Sequence, residues 1–353
     1  MKKLKFTLNA ETGTLSESDA KRYFSTVGFA TFAFTVIYFV SSVLLGYAIS
    51  YFAPFLYEST LICNFIYNLI SLIPLYALAF PVLYGILRRL PRDRVQPEKM
   101  GAGGFFKGLC VALFVMMAGN YVSQFLINIF QLITGKALSN PVAEATSNQS
   151  FWINLLFVAI VAPILEELVF RKVLCDRLLP LGEGYTVVLS AAIFALAHGN
   201  FFQFFYAFLL GALFALIYVK TGRLRYSILY HGILNFLGAV VSSWLLKRVE
   251  HLITEDSLAH LAELGAQGDM TALQEMLQSY ILPMVPLLAY ELVVIVGSVC
   301  GMVFLIVGYK KIRLEKGLLS PPKEGRVANV FLNVGVAAAL TAFAGIFLLS
   351  LMG

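Results

Sequence analysis

The sequence predicts an all-α fold, a polytopic integral membrane protein of eight or nine transmembrane helices. Three observations lead there. Of 353 residues, 59% are hydrophobic and only 13% are charged, too apolar a composition for a soluble globule. Apolar runs long enough to cross ~30 Å of hydrocarbon as helices recur from Val27 onward, separated by short polar loops. The cations also alternate. With a cytoplasmic N-terminus, all of the 26 Lys and Arg fall on the cytoplasmic side except Lys136, Lys247 and Arg248.

Residues 1–26 carry Lys2, Lys3, Lys5, Lys21 and Arg22 without a sustained apolar face and read as a cytoplasmic tail. The N-terminal transmembrane region, 27–150, holds spans at 27–52, 61–87 and 108–133. The first run is too long for a signal-peptide core and stays as a span. Arg88, Arg89, Arg92, Arg94, Lys99 and Lys107 mark the loop before the third span as cytoplasmic, and 134–150 lies outside.

A helical core follows at 151–246. Its first span, 151–171, ends near Arg171 and Lys172, with a continuation to 179 that alternates charge with leucine and suits the membrane interface. Spans 185–198 and 201–219 join through a tight turn at Gly199 and Asn200. The short 185–198 run makes either a crossing or half of a re-entrant pair, hence eight or nine crossings. The core closes with 226–246. The acidic extracytoplasmic region 247–280 holds two short amphipathic helices, 257–264 and 271–277, broken at Gly265 and Gly268, with Asp269 capping the second. Spans 281–309 and 329–352 form the C-terminal transmembrane region, 281–353.

Several function classes drop out. The net charge of +6 comes from loops at alternate crossings rather than from a binding stripe, which excludes nucleic acid as a partner. Cys63, Cys110, Cys175 and Cys300 sit in or beside apolar segments without metal-ligand spacing and read as small apolar residues. No inverted repeat of the transporter kind is visible.

The residues that carry chemistry are the charges inside the spans. Glu166 and Glu167 end an apolar stretch, where unpaired carboxylates are costly. Arg171, four residues after Glu167, shares its helix face and can pair with it, leaving Glu166 a quarter-turn away and available. His198 ends one apolar segment. His231 and Asn235 share a face of another. A carboxylate with an imidazole can deprotonate water, and a further imidazole with an amide can hydrogen-bond an oxyanion. Taken singly, the Glu167–Arg171 pattern also fits a plain helix salt bridge, and His198, His231 or Asn235 fits an interhelical hydrogen bond. Glu291 is a further acid within a span, read as paired with a Tyr or Asn of a neighbouring helix or as contacting substrate.

In this order, Glu166-Glu167-x-x-x-Arg171, Phe194-x-x-x-His198 and His231-x-x-x-Asn235 resemble the three motifs of the CAAX protease and bacteriocin-processing family of intramembrane proteases, the Abi or Rce1-like family. The resemblance covers about 151–246. It implies a site inside the helical bundle and a peptidase cutting near the cytoplasmic side, with Glu166 and His198 activating water, His231 and Asn235 stabilising the oxyanion, and Arg171 holding Glu167. It implies as substrate a peptide or the tail of a membrane-associated protein, prenylated in one branch, and for bacterial members a plasma-membrane location with bacteriocin processing or self-immunity. Glu and His ligands suit Zn or another divalent metal at Glu166, His198 and His231, although HExxH is absent and the same groups can activate water alone. A non-catalytic scaffold or regulator on the same fold is the alternative, as is a transporter using these residues as a proton relay. By helical rise His198 counts about 20 Å from the start of its span, against about 8 Å for Glu166 and His231, so the three depths disagree.

Overall fold

The computed structural model describes residues 3–10, 12–58, 60–252, 254–268 and 270–352. The chain is 81% helical, with no strand among the described residues. Eight helices are long and apolar enough to cross a membrane: α1 (Glu17–Phe52), α2 (Leu61–Leu87), α3 (Ala102–Thr134), α4 (Phe151–Leu181), α6 (Phe201–Thr221), α7 (Leu224–Leu252), α8 (Met270–Lys311) and α9 (Val334–Leu351). Between α4 and α6 lies α5 (Glu183–Ala197), whose 15 residues reach only ~22 Å, short of the hydrocarbon thickness. The protein is an integral membrane protein, and α5 is the element that leaves the number of crossings at eight or nine.

Burial ranks the helices. Within their apolar windows α4 and α6 are 44% buried and α8 only 11%, so α4 and α6 are central and α8 faces outward. The helix α6 packs between α5 and α3, α8 lies along α3, and α1 runs beside both α2 and α9. One core joins Phe24, Phe34, Leu83, Phe170, Leu174 and Phe194 of α1, α2, α4 and α5. A second joins Leu113, Phe214, Tyr230 and Leu234 of α3, α6 and α7.

The end of α4 corrects the sequence reading. Beyond Arg171 the helix is not a solvated amphipathic extension but packs inside the protein. It continues to Leu181, and Arg171, Leu174, Cys175, Asp176 and Leu178 are all buried. Its charges look interfacial in sequence because their partners are far away in the chain. Asp176, 2% exposed, is met by Arg92 at 2.6 Å, Lys172 at 3.2 Å and the Tyr218 hydroxyl at 2.6 Å. Arg177 donates to the Leu90 carbonyl and accepts from the Tyr23 hydroxyl on its own carbonyl. These bonds pin the basic loop 88–101 under α4, and Glu98 N–H extends the seam to the Thr221 carbonyl at 2.8 Å.

With this correction the depths of Glu166 and His198 agree. Measured from Leu181, Glu166 lies roughly 20 Å along α4, and His198 lies roughly 20 Å along α5 from Glu183, which starts beside Leu181. The two residues therefore reach the same level from the same side.

Other boundaries move less. Ser16 caps α1 by accepting from Asp19 N–H, so the helix starts ten residues before the first apolar run. Leu15 ahead of it is buried, bonded through its N–H to the Ser320 carbonyl. Gly265 does not break a helix but lies inside Glu255–Gln267, and the predicted 271–277 helix is continuous with α8. Asp269 lies outside the described residues. The turn at Gly199 and Asn200 forms as read: Gly199 takes φ +68°, and Asn200 caps α6 by accepting from Gln203 N–H. Glu291 is exposed on α8, ~29 Å along the helix from Lys310, so it sits at the far margin of the apolar layer rather than in its middle.

Candidate active site

The acids sit on a short α-helical turn, Ala162–Glu167, between two π-helical segments of α4, Leu155–Val161 and Leu168–Cys175. Widened turns of this kind leave carbonyls to be satisfied from outside. Here Ala162 N–H bonds the Phe157 carbonyl five residues back. The next such bond would run from Pro163, which has no N–H, to Val158. Asn235 of α7 takes the bereft carbonyl instead, its Nδ2 donating to Val158 O at 2.9 Å. Gly232 permits the approach, since a Cβ there would fall 2.9 Å from the Ala159 carbonyl oxygen. The tether brings His231, one turn before Asn235, against the acids.

The two glutamates have different surroundings. Glu167 is fully buried and engaged on both oxygens, Oε1 with His231 Nδ1 at 3.1 Å and Oε2 in an ion pair with Arg171 Nε at 3.1 Å. Arg171, also fully buried, donates through Nη1 to Ser190 Oγ at 2.8 Å, and its guanidinium lies 4.9 Å from the Phe194 ring and 5.9 Å from that of Phe214. Ser190 Oγ in turn donates to the Phe170 carbonyl at 3.1 Å. A charge removed from water requires pairing of this kind, although Glu167 Oε2 and Arg171 Nε and Nη2 make no hydrogen bond beyond the ion pair among the described residues.

Glu166 is one-fifth exposed, and its Oε2 is buried with no hydrogen-bond partner among the described residues. The nearest ionisable group is His231 Nε2 at 3.8 Å, too far for a direct hydrogen bond and suited to a bridging molecule. His198, at the end of α5, places Nδ1 2.8 Å from the Phe194 carbonyl. A carbonyl only accepts, so Nδ1 carries the hydrogen and Nε2 of the neutral ring keeps a lone pair. The charge of Glu166 acts on His198 and on Tyr38, Tyr76 and Tyr206 around it.

Phe214 was not among the residues singled out from sequence, and Phe194 entered only as the first residue of its motif, with no role of its own. Phe194 meets both imidazoles edge to face, at 4.8 Å from His198 and 5.8 Å from His231, and Phe214 stacks on His231 at 5.4 Å. They fix ring planes that hydrogen bonds alone would leave free to turn. Ser190 had a visible signal, a lone hydroxyl in an apolar run two turns before His198.

As a metal centre the constellation fits poorly. Among the described residues no three His, Cys, Asp or Glu side chains converge to hold an ion, and Glu166, His198 and His231 are no exception. The chemistry below is therefore derived from the protein's own groups.

A family model described as type II CAAX prenyl endopeptidase Rce1-like matches residues 148–237, which contain all seven residues of the three motifs. The chain is 41% identical over 88 residues to the membrane-embedded CAAX protease MroQ of Staphylococcus aureus, covering 23% of this chain and 36% of that protein. It is 24% identical over 156 residues to the putative membrane peptidase YdiL of Bacillus subtilis, covering 42% and 62%. It is also 30% identical over 144 residues to CAAX prenyl protease 2 of Arabidopsis thaliana, covering 35% and 42%. The matches thus span between about a third and three-fifths of these relatives. No solved structure matches. Residues 148–237, which bring Glu166, Glu167, Arg171, His198, His231 and Asn235 together, are thus the part of the chain that is similar to the Rce1-like CAAX proteases.

Proposed function

We propose that this protein is an intramembrane endopeptidase that hydrolyses a peptide bond with a water activated by Glu166 and His198. The observation that carries the reading is the contrast within one acid pair: each oxygen of Glu167 lies 3.1 Å from a nitrogen of Arg171 or His231, whereas Glu166 Oε2 is buried without a hydrogen-bond partner among the described residues and stops 3.8 Å from His231 Nε2. A water between them donates one hydrogen to Glu166 and is oriented by the His198 lone pair. As its oxygen attacks the scissile carbonyl, Glu166 takes the proton. His231, protonated on both nitrogens and paired through Nδ1–H with Glu167, then donates its Nε2–H to the tetrahedral oxyanion, beside the second amide hydrogen of Asn235. Collapse of that intermediate returns the proton from Glu166 to the leaving amine, so no proton is left over.

The basic side, held together by Arg92, Lys172 and Asp176, lies in the cytoplasm, and the substrate is a peptide or the tail of a membrane-associated protein reaching the site from there. The relatives named as CAAX proteases support a C-terminal tail as the first substrate to try. Incubating purified protein with prenylated and unprenylated tail peptides, and reading the new termini by mass spectrometry, tests the proposal. Site-specific cleavage is expected, and intact peptides with a folded sample would contradict it.

A further inference from the structure

Two helices outside residues 148–237 reach His198. Near their basic-side ends α1 and α9 touch: a Cβ on Gly28 would fall 2.3 Å from the Gly335 backbone, and Gly335 N–H donates to Ser25 Oγ at 3.2 Å. About two turns further along both helices, ~9–12 Å on, a cavity of about 220 Å³ opens between them. Phe34 and Tyr38 of α1 and Phe343 and Ile346 of α9 line it, and His198 with Gly199 closes it. Gly199, held at φ +68°, would carry a Cβ 3.1 Å from Ile346, so the turn after α5 and α9 are in contact there.

Two features make this space part of the reaction site. His198 lines the cavity. Thr35 on the same wall has a buried hydroxyl oxygen without a partner among the described residues, available to a peptide backbone. Apart from Ser42 and Gly199 the remaining wall is aromatic and aliphatic, and an apolar cavity of ~150 Å³ already holds a benzene ring. One large side chain fits the space.

We propose that this cavity is the specificity pocket of the hydrolytic site, taking one aromatic or branched aliphatic side chain of the residue flanking the scissile bond. Phe343 and Ile346, far from the motifs in sequence, then determine which peptides are cut. The proposal rests on the peptidase reading for its kinetic consequence but not for its binding consequence.

The test uses the full chain in lipid nanodiscs, with peptides carrying Gly, Ala, Leu or Phe at each position flanking the cleaved bond, each prenylated and unprenylated. Filling the pocket with Ile346→Trp should lower kcat/KM for the Leu and Phe peptides by roughly tenfold or more, the scale of a lost hydrophobic subsite, and leave the Ala peptide within about twofold. The same peptides are titrated by fluorescence anisotropy against Glu166→Gln protein, with and without Ile346→Trp. Tighter binding of Leu and Phe peptides that Ile346→Trp abolishes supports the pocket even if no peptide is cleaved, in which case only the peptidase reading falls. Binding and cleavage indifferent to the side chain would overturn the pocket while cleavage keeps the peptidase. An Ile346→Trp effect confined to prenylated peptides would overturn it as well, since the lipid and not the side chain would then occupy the space.

Discussion

His231 bonds Glu167 through Nδ1 at 3.1 Å while its Nε2 stops 3.8 Å short of Glu166. One ring thus separates a structural carboxylate from a reactive one, although the two are neighbours in the chain. The expected behaviour of variants follows from that division.

Arg171→Leu leaves Glu167, in a fully buried site, with His231 as its remaining partner, and breaking a buried ion pair costs about 3–5 kcal/mol. The expected result is a large loss of folded protein in detergent melts and expression. Glu167→Gln with Arg171→Leu removes both charges and should recover part of the loss. Equal instability of single and double variants would mean that packing of the guanidinium on Phe194 and Phe214, not charge, dominates.

Asn235→Ala strands the Val158 carbonyl and should cost about 1–3 kcal/mol. The cause is testable by a double-variant cycle. Pro163→Ala supplies the N–H that Val158 lacks, so Asn235→Ala should be less destabilising in the Pro163→Ala background. Additive effects in thermal or denaturant melts would contradict the tether as described.

Asp176→Asn removes the charge that Arg92 and Lys172 share beneath α4. Amide hydrogen exchange should quicken across residues 88–101 by tenfold or more, corresponding to about 1.4 kcal/mol or more of local stability. Exchange around Glu166 should change far less. Uniform quickening over the whole chain would show that this cluster supports global folding instead.

Chelation bears on the metal expectation directly. Both histidines bond Nδ1 to a carbonyl or a carboxylate and keep Nε2 free, as a metal ligand would, but among the described residues they do not converge with Glu166 as a three-ligand set. EDTA should leave cleavage within about twofold, whereas a loss restored by added zinc would assign a metal to the site.

Much of this was legible in the sequence, for definite reasons. The Glu167–Arg171 pair follows from helical periodicity, and the Gly199–Asn200 turn from residue chemistry that needs no distant partner. The end of α4 was misread because Asp176, Lys172 and Arg177 look solvated until Arg92, Tyr218 and Leu90 arrive from elsewhere in the chain. The depth of Glu166 was misjudged as a consequence. The role of Asn235 toward Val158 depends on a π-turn that periodicity does not reveal, although Pro163 marked the place. Phe214, and what Phe194 does beyond its motif position, were hidden for a simpler reason: in a chain so rich in phenylalanine, two rings against two imidazoles leave no distinguishing pattern.

The most direct measurement is the cleavage rate of one identified peptide by wild-type protein and Glu166→Gln, with a melting curve for each. Glu166 lacks a protein partner on Oε2, so its amide should leave the melt nearly unchanged and lower the rate by at least about 10²–10⁴-fold, the range for a general base. A Glu166→Gln protein that melts like wild type and cleaves at the wild-type rate would contradict the assignment of Glu166 as the base.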